Sequence, residues 1–141
     1  MRASRRITFR GDTDCSQTRH VDRWDADGVR LVFGYDARPN VIGCADAVPA
    51  DACTPLVRCP PYAVATEPQA RPVNVKAATI VARAFKNVRL EAEAVAEFPY
   101  RPTACATAYR IVVVRKNISV AQGDHWLFDQ IRYFFYLTND H

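Results

Sequence analysis

The first part of the chain alternates apolar and polar residues in a way that predicts a short strand followed by a helix. Residues 7–10 (Ile-Thr-Phe-Arg) alternate and run into Gly11, as a strand that ends in a turn does. Ser16 is a good N-cap for a helix over 17–26, and Gly28 is a natural stop for that helix. We therefore expect strand, turn and helix in this order.

A second apolar segment, Val29 to Tyr35, completes a strand–helix–strand unit. Val21 and Trp24 lie three positions apart, so they share the helix face that would cover the two strands. The unit has the length of about 30 residues that a parallel β-α-β crossover requires. The sequence therefore predicts two parallel strands joined by a helix.

Prolines mark a change of character in the middle of the chain. Seven of the nine prolines fall within 39–72, so most of this stretch is expected to be irregular. The pattern allows a short helix over 45–48. Further on, Ile80 and Ala84 share one helical face, which predicts a helix over 75–87.

The last third changes to a period of two. Residues 88–98 alternate, which favours a strand, although Ala and Glu favour helix by intrinsic propensity. The β-branched segment 109–116 and the aromatic segment 131–138 are typical of strands, and 122–124 lies between them as a loop. Three successive strands without long helices predict an antiparallel sheet.

Together these patterns predict an α/β (α+β) chain with three regions. The strand–helix–strand unit takes residues 1–43 and a proline-rich connection with one helix takes 44–87. A mostly antiparallel β subdomain takes 88–141.

Composition and charge narrow the class of protein. Hydrophobic residues make up 49% of the chain, which is typical of a globular domain. No apolar run is long enough to cross a membrane or to serve as a signal peptide, so we expect a cytoplasmic protein without a membrane partner. The net charge of +4 comes from 16 arginines and three lysines. This excess suits contact with phosphates, but is equally typical of a basic surface that favours solubility.

The five cysteines do not form a metal-binding pattern. They stand at 15, 44, 53, 59 and 105, no Cys-x-x-Cys pair occurs, and the three histidines are scattered. A structural zinc site needs four clustered ligands. We therefore expect free, reduced thiols and no zinc.

Asp12 and Asp14 are the candidate metal ligands. They follow the first strand, and the carboxyl ends of parallel strands face the crevice in which ligands bind. Carboxylate oxygens there could hold Mg²⁺, and two such ions commonly serve phosphoryl transfer on DNA. Judged from these residues alone, a turn with a helix cap is the more common explanation of the two aspartates.

Basic and aromatic residues in the last third are candidates for contact with DNA. Arg110, Arg115 and Lys116 flank an apolar strand, where they could bind phosphates or simply form its solvated face. Trp126 could stack on an unpaired base, although a tryptophan in such a stretch more often closes a small core. No Ser/His/Asp or Cys/His arrangement and no glycine-rich phosphate loop occurs at usable spacing.

Several segments resemble the DDE transposases of bacterial insertion sequences. They run in the order of that family and cover nearly the whole chain. They are RGDTDCS at 10–16, HVDRWDADGV at 20–29, FKNVRL at 85–90, AEFPYRP at 96–102, YRIVVVRKN at 109–117 and RYFFYLTND at 132–140.

The resemblance implies an RNase H-like catalytic core interrupted by a β insertion. In such enzymes three acidic residues bind two Mg²⁺ or Mn²⁺ ions, which activate water and then a 3′-hydroxyl for cutting and strand transfer at transposon ends. Asp12 matches the second of these acids and would be catalytic, and Asp14 matches a neighbouring motif position. DNA would be the partner, together with a second copy of the chain or a full-length transposase.

The chain also departs from the family pattern. It begins just before the fourth core strand and ends before the helix that carries the glutamate, so the other two acids are missing. The only Tyr-x2-Arg, at Tyr35 and Arg38, is followed by Ile42 where the family signature requires Glu, and Cys15 replaces an aromatic residue. We therefore expect a truncated transposase that is inactive alone and holds no metal tightly. The alternative is a non-catalytic protein, derived from a truncated element, that binds DNA or a transposase.

Overall fold

The chain has a mixed α/β fold, known from a computed structural model that describes residues 6–15, 17–58 and 75–140. Within these ranges three helices accompany one six-stranded, mostly antiparallel sheet. The elements are β1 (Thr8–Gly11), α1 (Val21–Ala26), β2 (Arg30–Tyr35), α2 (Pro39–Asp46), β3 (Thr54–Pro55), α3 (Val75–Ala82), β4 (Lys86–Tyr100), β5 (Tyr109–Gln122) and β6 (His125–Thr138). The strand order is β1-β2-β6-β5-β4-β3.

The chain divides into two units, and the three long strands contribute to both. Unit 1 comprises residues 1–54, 94–115 and 133–141, and unit 2 comprises 55–93 and 116–132.

The strand–helix–strand arrangement predicted for the first part is confirmed in unit 1. β1 and β2 are parallel, with Thr8 opposite Arg30 at one end of the register, and α1 connects them. Val21 is fully buried, and the Trp24 ring lies with its centroid 5.2 Å from that of Phe9 in an edge-on contact. The helix face predicted from the spacing of these two residues is therefore the one that packs on the strands.

The start of this helix differs from the prediction. A 3-10 turn occupies Thr18–His20, and α1 itself begins at Val21 with His20 as an N-cap whose side chain makes no capping hydrogen bond to the helix. The predicted cap at position 16 lies outside the described residues. The predicted stop is confirmed: Gly28 has a φ of +71°, which glycine adopts without steric cost.

The short helix predicted over 45–48 is wrong, because α2 begins at Pro39 and ends at Asp46. Proline is well suited to the first turn of a helix, where its missing N–H has no intrahelical partner. Val41 and Ala45, four positions apart, are the buried residues of α2. The proline-rich composition predicts mostly irregular structure from position 39, whereas Pro39 begins a helix.

The core of unit 1 combines β2, β5 and β6 with α1 and α2. Tyr109, Ile111 and Val113 are buried while their neighbours are partly exposed, so β5 follows the expected alternation. Burial of each large aliphatic side chain stabilises the fold by about 1.5–3 kcal/mol. The other buried hydrophobic residues of this cluster are Val21, Leu31, Phe33, Tyr35, Val41, Ala45, Ala96, Cys105, Phe135 and Leu137.

Asn139 holds the end of the chain against β2. Its Oδ1 accepts a hydrogen bond from the Leu31 N–H at 2.9 Å, and its Nδ2 donates to the Val29 carbonyl at 2.9 Å and to Asp25 at 2.7 Å. β2 and β6 are antiparallel, with Val32 opposite Thr138, so this amide extends the pairing beyond the last strand residue.

In unit 2 the strands are longer and α3 is shorter than predicted. β4 confirms the alternating strand predicted for 88–98, and β5 and β6 extend to a turn at Gly123, which has a φ of +64°. Ile118 and Val120 are buried at even positions, whereas Tyr109, Ile111 and Val113 are buried at odd positions, so the buried set of β5 residues changes parity past its charged residues. The helix predicted over 75–87 ends at Ala82, where the Phe85 N–H donates to the Ile80 carbonyl at 3.1 Å and closes the last turn.

None of the helices in the described ranges combines the length and the apolar character that a membrane crossing requires.

Candidate functional site

Two carboxylates follow the two parallel strands of unit 1. Asp12 comes directly after β1, and Asp36 comes directly after β2. Because parallel strands end at the same edge of a sheet, both residues lie at that edge. Both are exposed, and both line an open cleft of about 360 Å³. The cleft is the strongest candidate site because it joins these acids.

The backbone that carries Asp12 lies directly against Gly34 of β2. A Cβ atom at Gly34 would stand 2.8 Å from the Thr13 backbone nitrogen and 3.1 Å from the Asp12 carbonyl carbon. Such distances are shorter than real Cβ contacts, so the close approach requires glycine. The position of the first carboxylate is therefore fixed by β2 as well as by β1.

An aromatic wall forms the other side of the cleft. Tyr35 and the segment 133–136 of β6 line it, and Tyr136 and Phe134 keep much of their surface exposed. Carboxylates beside exposed rings suit a ligand that combines a cation or a hydroxyl group with a flat apolar part. Nucleobases stack on such rings without regard to sequence.

Asp14 lies in the 3-10 turn Thr13–Cys15, exposed, and is not among the residues that line the cleft. Within the described ranges, no group of three or more His, Cys, Asp or Glu side chains is arranged to hold a metal ion. The cleft is thus lined by Asp12 and Asp36 and not by Asp14.

Sequence reasoning missed Asp36, although the signal was available. Asp36 follows a strand predicted as parallel, which is the argument that singled out Asp12. Arg38 lies nearby, with its guanidinium 3.7 Å from the Asp36 carboxylate and both side chains more than half exposed. Exposed ion pairs of this kind contribute little to the stability of the fold, so Asp36 can exchange Arg38 for a bound cation.

Arg110, predicted to contact DNA, is held by acidic and backbone groups of unit 1. Its Nε donates to Glu97 at 2.6 Å, and a second guanidinium nitrogen also contacts that carboxylate. Nη1 donates to the Asp140 carbonyl at 3.2 Å. A DNA phosphate would have to compete with Glu97 for this guanidinium.

Arg115 has a different environment from Arg110. Its Nε is buried and has no hydrogen-bond partner among the described residues. Next to it, burial and a hydrogen bond to Asp46 raise the pKa of Tyr133 to about 12, while the positive charge of Arg115 acts in the opposite direction. The Tyr133 hydroxyl donates to that carboxylate at 2.5 Å. The Arg115 side chain is therefore partly buried within unit 1.

Lys116 belongs to an ion-pair cluster of unit 2. Its ammonium lies 3.3 Å from Glu93, and Arg58 donates two hydrogen bonds to the same carboxylate at 2.7 and 2.8 Å. Glu93 is only 8% exposed, and its two basic partners lower its pKa to about 2.

Trp126 is the most accessible of the residues predicted to contact DNA. It stands in β6 within unit 2, 63% exposed, and its indole N–H donates to Asp129 at 3.0 Å. The alternative interpretation, closure of a small core, does not fit this exposure. The structure places Arg110 and Arg115 in unit 1, and Lys116 and Trp126 in unit 2.

No protein-family model, curated protein or solved structure matches this chain.

Proposed function

We propose that this chain is a segment of a DDE-type DNA transposase that cannot catalyse cutting or strand transfer alone. β1, α1 and β2 would belong to an RNase H-like core, and the long strands β4 to β6 would belong to its β insertion. The observation that supports this assignment best is the position of Asp12. Asp12 directly follows β1, which is parallel to β2, and it lines the cleft.

Inactivity follows from the number of acids at the cleft. Transposition by two-metal phosphoryl transfer needs ligands that clamp two ions about 3.5–4 Å apart. Among the described residues, Asp12 and Asp36 are the two carboxylates that line the cleft, and Asp14 lies outside it. We expect them to hold one Mg²⁺ or Mn²⁺ ion weakly, mostly through its water shell. The remaining ligands would have to come from another segment or another polypeptide.

Manganese titration followed by NMR tests the metal site. Mn²⁺ broadens the signals of nearby nuclei, so resonances around Asp12 and Asp36 should weaken first. The variant Asp12→Asn should lose this effect, whereas Asp14→Asn should retain it. Broadening that does not depend on Asp12 would contradict the proposed ligand.

A nicking assay tests the enzymatic part of the proposal. Supercoiled plasmid incubated with the chain and either Mg²⁺ or Mn²⁺ should stay supercoiled. A nicked product that appears with the wild-type chain and disappears with Asp12→Asn would overturn the proposed inactivity.

A second candidate function is non-catalytic binding of DNA, favoured by the charge of unit 2. The described part of this unit has more basic than acidic residues, and Trp126 is exposed in the same unit. The basic residues are Arg58, Lys76, Arg83, Lys86, Arg89, Lys116 and Arg132, and the acidic ones are Glu91, Glu93, Asp124 and Asp129.

Fluorescence anisotropy with single-stranded and duplex DNA at several salt concentrations tests this second function. Binding through phosphates should weaken steeply with salt, and Arg89→Ala should reduce the slope of log K against log salt by about 0.7–0.9. Trp126→Ala should weaken binding to the single strand more than to the duplex. Undetectable binding at low salt would exclude this function.

A further inference from the structure

Part of β6 forms an open sheet edge in unit 2. β6 pairs with β5 on one side, and on the other side β2 covers only Phe135–Thr138. Among the described residues, no strand borders the stretch His125–Arg132 on that second side. An open edge presents unpaired backbone N–H and C=O groups to any strand that approaches.

The side chains of this stretch make the open edge unusually apolar. Trp126 and Phe128 point to one face and Leu127 and Ile131 to the other, and all four are at least 43% exposed. Natural proteins protect open edges with charged side chains, above all lysine, and with proline, bulges or covering segments. Residues 125–132 contain neither lysine nor proline, and their two charged residues are Asp129 and Arg132. This composition is typical of an edge that is covered by another strand.

We propose that two copies of the chain associate by antiparallel pairing of these edges, with Phe128 of each copy facing its counterpart. The pairing would join the two sheets through backbone hydrogen bonds. It involves neither DNA nor a metal ion, so it is independent of the proposed function.

Symmetry restricts the register. In a two-fold antiparallel pair that continues a sheet, the axis is perpendicular to the sheet and one residue faces its own copy. With Phe128 on the axis, His125 faces Ile131 within the strands, and Asp124, in the turn directly before β6, comes opposite Arg132 at both ends. Opposite charges that face each other across strands stabilise the pair. The two copies are therefore self-complementary in this register.

Neighbouring registers are less favourable. With Asp129 on the axis, two carboxylates would face each other, which destabilises a strand pair. With Leu127 on the axis, only residues 125–129 of each β6 would overlap, because the strand begins at His125. The Phe128 register pairs 125–131, and this overlap stops short of the segment that β2 already covers.

Sedimentation equilibrium of the full chain, without DNA or divalent ions, tests the proposal. The wild-type chain should dimerise reversibly. Phe128→Asp places two like charges on the axis and should raise the dimer dissociation constant about tenfold or more. Val57→Asp, at another exposed apolar position of unit 2, is the matched control and should leave dimerisation unchanged.

A charge exchange tests the register itself. Arg132→Asp and Asp124→Arg each place like charges opposite one another and should weaken the dimer, whereas the double variant should restore it. Circular dichroism of each variant checks that the fold is retained. A monomeric wild-type chain at high concentration, a dimer that tolerates Phe128→Asp, or a double variant as weak as its parents would overturn the proposal.

Discussion

At the scale of single residues, the candidate site depends on a glycine that carries no chemistry. Gly34 allows the Asp12–Thr13 backbone to lie on β2, and a Cβ atom there would press on backbone rather than on a movable side chain. The carboxylate at the cleft and the packing of the strand are therefore coupled. A change at position 34 should affect both.

The variant Gly34→Ala should destabilise the chain by about 1–3 kcal/mol, as overpacking of a tight site does. It should also shift the NMR signals of Asp12 and Thr13. Gly43→Ala is the matched control, because a Cβ atom at that exposed position of α2 meets nothing within 4 Å. This control should be neutral or gain up to about 1 kcal/mol from better helix propensity. Equal stability of both variants, measured by urea unfolding, would contradict the close approach.

Asn139 is a second residue whose role depends on its hydrogen bonds. Its side-chain amide accepts a hydrogen bond from the Leu31 N–H in β2 and donates one to the Val29 carbonyl just before β2. Asn139→Ala should therefore cost about 1–3 kcal/mol, because it leaves partly buried backbone groups without a partner. Urea unfolding measures the loss. Asn139→Asp retains the acceptor but loses the donor, so its stability should fall between those of Asn139→Ala and the wild type.

At the scale of elements, the ion-pair cluster around Glu93 links β4 to β5 in unit 2. The basic groups of Arg58 and Lys116 both contact the carboxylate of Glu93, whose side chain is nearly buried. Because the pKa of Glu93 is lowered from 4.5 to about 2, its charged form is favoured in the folded chain. Its contribution to stability is therefore complete above pH 4.5 and is lost as the pH falls towards 2.

Acid titration of stability tests this cluster. The free energy of unfolding of the wild-type chain should decline between pH 4.5 and 2, and Glu93→Gln should decline less steeply over the same range. Arg58→Gln removes the principal cause of the lowered pKa and should flatten the decline in the same way. An unchanged slope in both variants would show that other carboxylates, such as the Asp22 group that accepts from Tyr109, govern acid unfolding.

The elements that the sequence predicted correctly are those with a local, regular pattern. β1, β2 and β4 alternate or are strongly apolar, and Val21 and Trp24 mark the buried side of α1. The start of α2 is not predicted from the sequence, because a proline-rich stretch favours irregular structure, whereas Pro39 occupies the first turn of the helix. β5 and β6 are longer than the sequence predicts. In β5, the charged residues Arg115 and Lys116 interrupt the apolar pattern on which the prediction depends.

At the scale of the whole molecule, the partners of strands could not be predicted from local patterns. β2 pairs with β6, and the two strands lie about 100 residues apart in the chain. Nothing in the alternation of either strand specifies the other, because alternation determines the buried face and not the neighbouring strand. The cleft could not be predicted for the same reason, because its lining combines residues after β1 and β2 with an aromatic part of β6.

Burial differs strongly along β6, and this difference predicts how the molecule opens. Phe135 and Leu137 are buried in unit 1, where β2 and β5 flank them, whereas residues 125–132 are all exposed. Amides at Phe135 and Leu137 should therefore exchange with solvent deuterium slowly, close to the rate of global unfolding. Amides of 125–132 that point to the open edge should exchange quickly in dilute solution.

Dimerisation gives this exchange pattern a concentration dependence. If the open edges pair, the fast amides of β6 should become protected as the chain concentration rises, and those of Phe135 should stay unchanged. In Phe128→Asp the fast amides should remain fast at every concentration. Protection that is the same in dilute and concentrated wild-type samples would mean that the edge is closed within a single copy. The exchange experiment thus distinguishes an edge that pairs with a second copy from an edge that is covered within a single chain.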